Sequence, residues 1–508
     1  MSAKYIAVDM GAESGRLVLG NVGDGKLEIK ELHRFKTQGT EIHGHLYWDV
    51  LRFYDEIIGG IKSNAIAFKG EPIDGIGVDT WGVDFVILDE HDNLLGMPYH
   101  YRDAEMNAAL PSLLDTIPRD EIYEKTGIQF MSLNTIVKLH ALVKGNHACM
   151  IDGKSFLMMP DYFNFLLTGE KKIEYTDAST TQLLDAKSKD WYLPFFETLG
   201  INPEMFTSPV MPGTVLGDVT PALRDRMGVE KATVHLTTSH DTASAVVGCP
   251  LTSKNSAYLS SGTWSLLGME LDSPILTKQA LEMNFTNEGG YGGTIRLLKN
   301  IAGMWLLQQS KTKWEQDNSV QLDYEWIMKE AKKNEASGSL VNPDQERFLN
   351  PPNMLEAIRD ACKETGQVPP KSFGQFAATI FSSLALRYRH VIAMLSELSG
   401  TTIDYFHVVG GGSKNRLLCQ YTADATGIPV LAGPDEATSI GNIIVQAISN
   451  GEITGVQEGR EIVATSYPPL LYEPQDPDRW TRLYDEKYVP MFIEPLGARF
   501  KRKENGKK

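Results

Sequence analysis

Alternating apolar and polar residues at the start of the chain predict three β-strands, at 4–9, 16–22 and 26–35. Glycine-rich turns at 11–15 and 23–25 join them. A further pair of strands is predicted at 74–79 and 83–88, and a hairpin that turns at 90–93 follows it. The first half of the chain should therefore be built on a β-sheet.

Helical spacing of apolar residues predicts helices near 105–115 and 134–145, and a strand that begins at Val234 changes to a helix near Ser239. The second half begins with a hairpin at 257–270. A helix is predicted at 373–398, with a capping box of Ser372 and Gln375 at its start and a stop at Gly400. The later elements are predicted as a strand at 405–409, a helix at 414–426, a strand at 429–432, and helices at 439–449 and near 478–490.

Helices that alternate with apolar strands in both halves predict two α/β domains. We place them at 1–246 and 247–490, followed by a tail at 491–508, whose basic end at 499–508 we expect to be solvated. A chain of 508 residues is longer than one hydrophobic core usually supports, which agrees with two domains.

Composition narrows the classes of function. The net charge of −16 argues against binding to nucleic acid or to a membrane surface. The four cysteines lie far apart, no signal peptide layout is present, and no apolar run reaches the roughly 18–20 residues of a membrane span. We expect a cytoplasmic protein, in which any anionic ligand must be held by local groups.

The same turn pattern occurs twice, at 5–19 and at 257–267. Each copy has a short apolar run, then Gly, Ser and Thr residues, then a second apolar run. Such a turn exposes backbone N–H groups that suit a phosphate. Either turn alone could be an ordinary β-hairpin, but the pair suggests two related halves that hold a nucleotide from both sides.

Acidic residues follow three of the apolar runs. Asp9 ends the first strand beside the glycine turn, where a carboxylate could hold Mg²⁺ near the phosphates, and Arg16 at the far end of the turn could pair with phosphate oxygens. Asp9 could equally serve the turn itself. Asp79 ends a second strand, and the Trp81-Gly82 pair after it is either an apolar wall for a sugar or a hairpin corner with a core tryptophan.

Asp241 lies where a strand changes to a helix, just before the predicted domain boundary. It could be a general base, because phosphoryl transfer needs a group that orients a hydroxyl and takes its proton late. The alternative is that Ser239 or Asp241 merely caps the helix.

Gly410, Gly411 and Gly412 lie between a strand and a helix, a context that lets backbone approach a nucleotide. The chain has no P-loop and no dinucleotide fingerprint, which disfavours P-loop kinases and Rossmann dehydrogenases.

In these residues and in their order, the chain resembles the FGGY family of carbohydrate kinases, in the actin/hexokinase-like superfamily. The literal Phe-Gly-Gly-Tyr string is absent, and 288–291 (EGGY) matches it in part. The stretches that carry the resemblance follow family order along almost the whole chain: 8–16 (VDMGAESGR), 78–85 (VDTWGVDF), 239–245 (SHDTASA), 260–265 (SSGTWS), 296–301 (RLLKNI) and 407–413 (HVVGGGS).

The resemblance implies an α/β fold of two actin/hexokinase-like (ribonuclease H-like) domains with an active site in the cleft between them. It implies ATP-dependent phosphorylation of L-rhamnulose at its 1-hydroxyl, with L-fuculose or xylulose as alternative ketoses. Asp241 would accept the proton and, with Gly82, His240, Thr242 and Asn300, contact the sugar. Asp9 would lie near Mg²⁺. The residues implied for ATP are Ala12, Glu13, Ser14, Gly15, Arg16, Thr263, Gln308 and Gly411.

Asn300 and Gln308 rest on the resemblance alone. Two other classes compete with a kinase: an actin- or Hsp70-like ATPase, and a sugar sensor of kinase ancestry, which would commonly carry a DNA-binding helix-turn-helix. The expected partners are a ketose and ATP, without nucleic acid or membrane, for a monomer or a small homo-oligomer.

Overall fold

Strands and helices alternate along both halves of the chain, as the hydrophobic pattern predicted. The computed structural model describes residues 3–68 and 72–493, so most of the predicted tail at 491–508 lies outside the described residues. Within the described part of the chain, no helix is long and apolar enough to cross a membrane.

The strands, labelled in chain order, are β1 Ala3–Met10, β2 Ser14–Gly23, β3 Lys26–Lys36, β4 Thr40–Ile42, β5 His45–Tyr47, β6 Ile73–Thr80, β7 Phe85–Leu88, β8 Ser155–Met158, β9 Leu184–Asp185, β10 Asp190–Trp191, β11 Thr214–Asp218, β12 Ala232–Leu236, β13 Ser256–Ser261, β14 Ser265–Leu271, β15 Thr286–Gly289, β16 Ile295–Ile301, β17 Tyr405–Val409, β18 Val430–Ala432 and β19 Leu470–Tyr472.

The α-helices are α1 Val50–Asn64, α2 Ala104–Asn107, α3 Leu110–Thr116, α4 Arg119–Thr126, α5 Thr135–Lys144, α6 Ala148–Asp152, α7 Met159–Thr168, α8 Tyr175–Ala178, α9 Leu193–Leu199, α10 Pro221–Met227, α11 Asp241–Val247, α12 Lys278–Met283, α13 Trp305–Asn318, α14 Tyr324–Lys333, α15 Met354–Glu364, α16 Phe373–Ser399, α17 Arg416–Thr426, α18 Ala437–Ser449, α19 Val456–Ser466, α20 Pro477–Leu483 and α21 Val489–Phe492.

The chain divides into two compact units. The first contains the described residues up to Pro250, together with Glu270–Leu297 and Ala437–Tyr467. The second contains Leu251–Met269, Leu298–Glu436 and the described residues from Pro468 onward. The leading segment of the first unit ends close to the boundary expected at 246, but two later segments also belong to that unit, so the units are not two continuous halves.

The first unit is built on a six-stranded sheet in the order β11-β12-β6-β1-β2-β3. The meander β1-β2-β3 is antiparallel, whereas β1, β6 and β12 run parallel. The first turn pattern is therefore a true hairpin, as predicted.

The second unit repeats this plan. Its sheet has the order β14-β13-β17-β18-β19, with an antiparallel hairpin β13-β14 beside the parallel strands β13, β17 and β18. Strand β16 continues the sheet beyond β14. The second turn pattern is thus also a hairpin, at the equivalent place in its sheet.

The two strands predicted at 74–79 and 83–88 are present as β6 and β7, but they do not pair with each other. Both edges of β6 are occupied, by β1 and by β12, so no edge remains for the strand that follows. Strand β7 pairs instead with β8. The nearly continuous burial of β6 is typical of a central strand with parallel neighbours.

The longest predicted helix is confirmed. Helix α16 begins after a capping box formed by Ser372 and Gln375, and it ends at Gly400, whose φ of 67° is left-handed.

Candidate active site

Three parallel strands of the first unit end at the same edge of its sheet, and the predicted acidic residues gather there. Asp9 of β1 pairs in register with Asp79 of β6. The backbone N–H of Thr80 donates to the carbonyl of Ser239, 2.9 Å away, which places His240 and Asp241 beside the end of β6. The carboxyl ends of parallel strands are the usual location of ligand sites in α/β sheets.

Two side chains, those of Arg16 and Ser439, donate to the same oxygen of Asp9. The Nη2 atom of Arg16 lies 2.8 Å from Oδ2, and the hydroxyl of Ser439 donates to the same oxygen at 2.6 Å. Oδ1 receives neither bond. Asp9 is nearly buried, and its close pairing with Arg16 joins the end of β1 to the far side of the turn at 11–13.

Asp79 is fully buried beside Asp9. Its Oδ2 accepts a hydrogen bond of 2.6 Å from the amide of Asn442, whereas Oδ1 has no hydrogen-bond partner among the described residues. Burial, followed by the neighbouring charge of Asp9, raises the pKa of Asp79 well above its usual value. The surroundings of Asp79 therefore favour the protonated, neutral form of its carboxyl group.

Sequence reasoning missed the helix α18 residues that reach these two acids. Ser439, Asn442 and Gln446 lie on one face of a mainly apolar helix; the first two bond to the acids, and Gln446 donates to the carbonyl of Ile6 at 3.1 Å. Their spacing of three and four residues was a visible signal, because buried polar side chains on an apolar helix need partners. Gly441 lets this helix pack closely on α11, since a Cβ there would lie 1.8 Å from the carbonyl oxygen of Ser244.

Asp241 is the first residue of α11. The N-cap is His240, which makes no side-chain cap bond, so Asp241 is not the cap. Its carboxylate accepts a hydrogen bond of 3.0 Å from the hydroxyl of Thr242 and remains 27% exposed. Burial raises the pKa of Asp241, the neighbouring His240 opposes this rise, and the charge of Asp9 adds to it. A more basic carboxylate that solvent can reach suits a proton acceptor.

Hydrogen bonds to Glu174 and Thr176 hold the backbone before Asp241 in place. Oε2 of Glu174 accepts from the N–H of Ser239 at 3.2 Å, and the hydroxyl of Thr176 accepts from the N–H of His240 at 3.3 Å. Burial raises the pKa of Glu174 to about 7. Glu174 therefore fixes the loop that carries the candidate base, and nothing in its local sequence indicated this role.

His240 lies in a second group that the sequence did not reveal. Its Nδ1 atom is 3.0 Å from Nη2 of Arg296 and 3.4 Å from Oε2 of Glu288, while its Nε2 atom is 3.5 Å from Oδ1 of Asp241. Although burial raises the pKa of Glu288, the neighbouring His240 and the charge of Arg296 bring it below its usual value. Glu288 thus stays ionised within the group.

The loop after β6 has an unusual backbone. Val83 has a φ of 69°, which a β-branched residue rarely adopts. The hydroxyl of Thr180 accepts from its N–H at 2.9 Å, and the hydroxyl of Thr135 donates to its carbonyl at 2.7 Å. Strained backbone of this kind is often found at functional sites, and here it adjoins the predicted sugar contact Gly82.

Trp81 belongs to the core and does not form an exposed wall. It is 5% exposed and stacks on Trp48 with ring centroids 4.0 Å apart. The indole N–H groups of both tryptophans donate to Oδ2 of Asp84, and the buried Lys138 pairs with that carboxylate. The core interpretation of this tryptophan is therefore confirmed.

In the second unit, the glycine run lies against the second hairpin. Gly410 has a φ of 81°, and a Cβ at Gly412 would lie 1.9 Å from the hydroxyl of Ser261 at the end of β13. Thr263 is in the turn of that hairpin, where its carbonyl accepts from Trp305 N at 3.1 Å. The turn and the glycine run therefore share the carboxyl edge of β13 and β17, as Asp9 and Asp79 share the edge in the first unit.

The backbone of Gly411 is not in the left-handed region. The left-handed residue is its neighbour Gly410, and apart from the two chain neighbours no atom of the described residues lies within 4 Å of a Cβ built on Gly411. Gln308 lies in the first turns of α13, and its amide oxygen is buried without a hydrogen-bond partner among the described residues. Asn300 lies near the end of β16 and is half-buried.

The predicted site residues thus divide between the units. Asp9, the turn at 12–16, Gly82 and the residues 240–242 lie in the first unit, and the remaining predicted residues, Thr263, Asn300, Gln308 and Gly411, lie in the second. Gly15 also has a packing role, since a Cβ there would lie 2.4 Å from the ring of Phe35.

Comparison with known proteins identifies the family. The model of the N-terminal domain of the FGGY family of carbohydrate kinases matches residues 4–248, and the model of its C-terminal domain matches residues 257–450. The chain belongs to the FGGY family of carbohydrate kinases. It is therefore a sugar kinase, a phosphotransferase, and the predicted fold class of two actin/hexokinase-like α/β domains is confirmed.

Similar proteins named rhamnulokinase cover nearly the same length. The protein of Bacteroides thetaiotaomicron is 44% identical over 484 residues, which are 95% of this chain and 98% of that protein. The protein of Bacillus subtilis is 38% identical over 477 residues, which are 94% of this chain and 96% of that protein.

Solved structures show the same fold at low identity. Gluconate kinase from Lactobacillus acidophilus superposes with a TM-score of 0.80 at 15% identity, over 98% of this chain and 99% of that one. Plasmodium falciparum glycerol kinase with ADP gives a TM-score of 0.77 at 14% identity, over 97% of this chain and 99% of that one.

Proposed function

We propose that this kinase transfers the γ-phosphoryl group of ATP to the 1-hydroxyl of L-rhamnulose and forms L-rhamnulose 1-phosphate. The observation that carries the proposal is the similarity, at 38% and 44% identity over more than nine-tenths of the chain, to proteins named rhamnulokinase. We expect the enzyme to act in the cytoplasm on rhamnose-derived sugar, as a monomer or a small homo-oligomer.

In this proposal Asp241 accepts the proton of the attacking sugar hydroxyl. Its position at the sheet edge, its partial exposure and the upward shift of its pKa support that role. Gly82, His240, Thr242 and Asn300 contact the sugar. The strained backbone of Val83 fixes the adjacent Gly82, and the hydrogen bond from the N–H of His240 to Thr176 fixes His240. Phosphoryl transfer depends on such rigid positioning of the reacting groups.

We propose that ATP is bound by the turn Ala12 to Arg16 of the first unit and by Thr263, Gln308 and Gly411 of the second. Three features support these contacts: the hairpin turns, the space around Gly411, and the amide oxygen of Gln308, which has no hydrogen-bond partner in the part of the chain that the structure describes. Because the chain carries a net charge of −16, the phosphates need local compensation, which Arg16 can supply.

A divalent cation fits the residues near Asp9. Arg16 and Ser439 both donate to Oδ2, which leaves Oδ1 for a cation or its water. Among the described residues, no group of three or more His, Cys, Asp or Glu side chains could hold a metal, and Mg²⁺ characteristically needs few protein ligands when phosphates and water supply the others. When bound with ATP, Mg²⁺ neutralises charge on the phosphates during transfer.

The test is initial-rate ADP release with L-rhamnulose, L-fuculose and D-xylulose, with ³¹P NMR of the product. We expect L-rhamnulose to give the highest kcat/KM and a phosphate ester on carbon 1. A higher kcat/KM for another ketose would contradict the substrate assignment. Rapid ATP hydrolysis without sugar and no sugar phosphate would favour an actin- or Hsp70-like ATPase instead.

A further inference from the structure

Next to Asp241, the first unit buries a group of three polar side chains, His240, Glu288 and Arg296. Their side chains are 8%, 7% and 0% exposed. Arg296 donates from Nε to the carbonyl of Gly289 at 2.8 Å, and its Nη2 lies 3.2 Å from Oε2 of Glu288. These two contacts orient the guanidinium, so its direction toward His240 is set by the surrounding backbone and carboxylate.

The contact between Arg296 and His240 determines where the imidazole carries its proton. A guanidinium has donors and no acceptor. Since Nη2 lies 3.0 Å from Nδ1 of His240, Nδ1 must accept that hydrogen bond. A neutral imidazole that accepts at Nδ1 carries its proton on Nε2.

The opposite tautomer fits the same geometry poorly. A proton on Nδ1 would face the N–H groups of Arg296, and the lone pair on Nε2 would face the carboxylate of Asp241. Nδ1 could donate only to Oε2 of Glu288 at 3.4 Å, and that oxygen already pairs with Arg296.

The protonated Nε2 is the ring nitrogen of His240 that lies beside the candidate base. Nε2 lies 3.5 Å from Oδ1 of Asp241, and the hydroxyl of Thr242 donates to the same Oδ1 at 3.0 Å. Two donors therefore approach one oxygen of the carboxylate. Oδ2 receives neither of these two contacts.

We propose that Arg296 is a positioning residue, which holds His240 as the Nε2–H tautomer and thereby orients Asp241 so that Oδ2 accepts the substrate proton. The inference rests on the proposed function of Asp241 for its catalytic consequence. Its structural part, the tautomer of His240, is independent of the substrate.

The first measurement is the ¹⁵N NMR spectrum of histidine-labelled enzyme at neutral pH, with His240→Gln for assignment. We expect His240 to show a protonated Nε2 and an unprotonated Nδ1. In Arg296→Met the population should shift toward the Nδ1–H tautomer, which can bond to Glu288, whereas Arg296→Lys keeps a donor and a charge and should keep more of the Nε2–H form.

Arg460→Met is a control for the loss of a largely buried arginine with similar partners. Arg460 pairs with Glu270 at 2.6 Å and donates to the carbonyl of Val246 at 3.0 Å, as Arg296 does with a carboxylate and a carbonyl. This variant should lose stability and leave the tautomer of His240 unchanged.

The second measurement is the steady-state rate of each folded variant. Arg296→Met should lower kcat about 10- to 100-fold with little change in the KM for ATP, and Arg296→Lys should recover part of the loss. A protonated Nδ1 in the wild-type enzyme would overturn the proposal, and this test holds even where Arg296→Met does not fold. Unchanged kcat in folded Arg296→Met would overturn it as well. An Nε2–H tautomer in an enzyme that phosphorylates no ketose would instead contradict the proposed function and leave the tautomer assignment standing.

Discussion

Replacing Asp241 by asparagine removes the proposed proton acceptor with little change in shape. The amide oxygen can still take the place of Oδ1, which receives the hydroxyl of Thr242 at 3.0 Å and faces Nε2 of His240 at 3.5 Å. The amide nitrogen then replaces Oδ2 and cannot take a proton. The substitution therefore separates proton transfer from the architecture of the site.

We expect kcat to fall about 10²- to 10⁴-fold, the usual contribution of a general base. At roughly 1.4 kcal/mol for each factor of ten, this is a loss of about 3–5 kcal/mol of transition-state stabilisation. The affinity for ATP should change little, because the residues proposed to bind the nucleotide lie elsewhere in the chain.

The assay is the initial rate of ADP release with saturating ATP and L-rhamnulose, together with calorimetric titration of a non-hydrolysable ATP analogue. Asp218→Asn is the matched control, since that exposed aspartate of β11 also accepts a threonine hydroxyl, from Thr233 at 2.8 Å. The control should keep wild-type turnover. If Asp241→Asn retains turnover within a few-fold of the wild type, Asp241 is not the base.

Three further outcomes are expected. Gly411→Val adds a side chain in open space without backbone strain, so it should weaken ATP binding and leave the unfolding temperature unchanged. Separate titrations of ATP and sugar would measure the binding, and calorimetry would measure the unfolding temperature. Unaltered ATP affinity would contradict the assignment of Gly411 to the ATP site. Gly441→Ala should cost about 1–3 kcal/mol of stability in denaturant unfolding, because its Cβ meets the backbone of Ser244, whereas Gly59→Ala in α1, where the Cβ meets nothing, should cost none. Burial raises the pKa of Glu174 from 4.5 to about 7, so its contribution to stability is present at acidic pH and is lost as the pH rises through about 7. Glu174→Gln should therefore reduce the loss of unfolding free energy between pH 5 and pH 8, by on the order of 3 kcal/mol at most, and parallel curves for the two proteins would refute the assignment.

The local pattern of the sequence determined the elements that depend on neighbouring residues. The two hairpins, the capped helix α16 and the strand before Gly410 were all predictable, because turn residues, capping residues and apolar periodicity act over a few positions. The same local signals placed Asp9, Asp79 and Asp241 at strand ends, and the shared edge of the sheet brings those ends together.

The tertiary structure alone decided which strands pair and which side chains support the acids. Strand β7 pairs with β8 because neighbours distant in sequence already occupy both edges of β6. Ser439 reaches Asp9 across 430 positions of the chain, and Arg296 reaches His240 across 56. Buried polar groups must find partners wherever the fold supplies them, and the sequence separation of those partners carries no local signal.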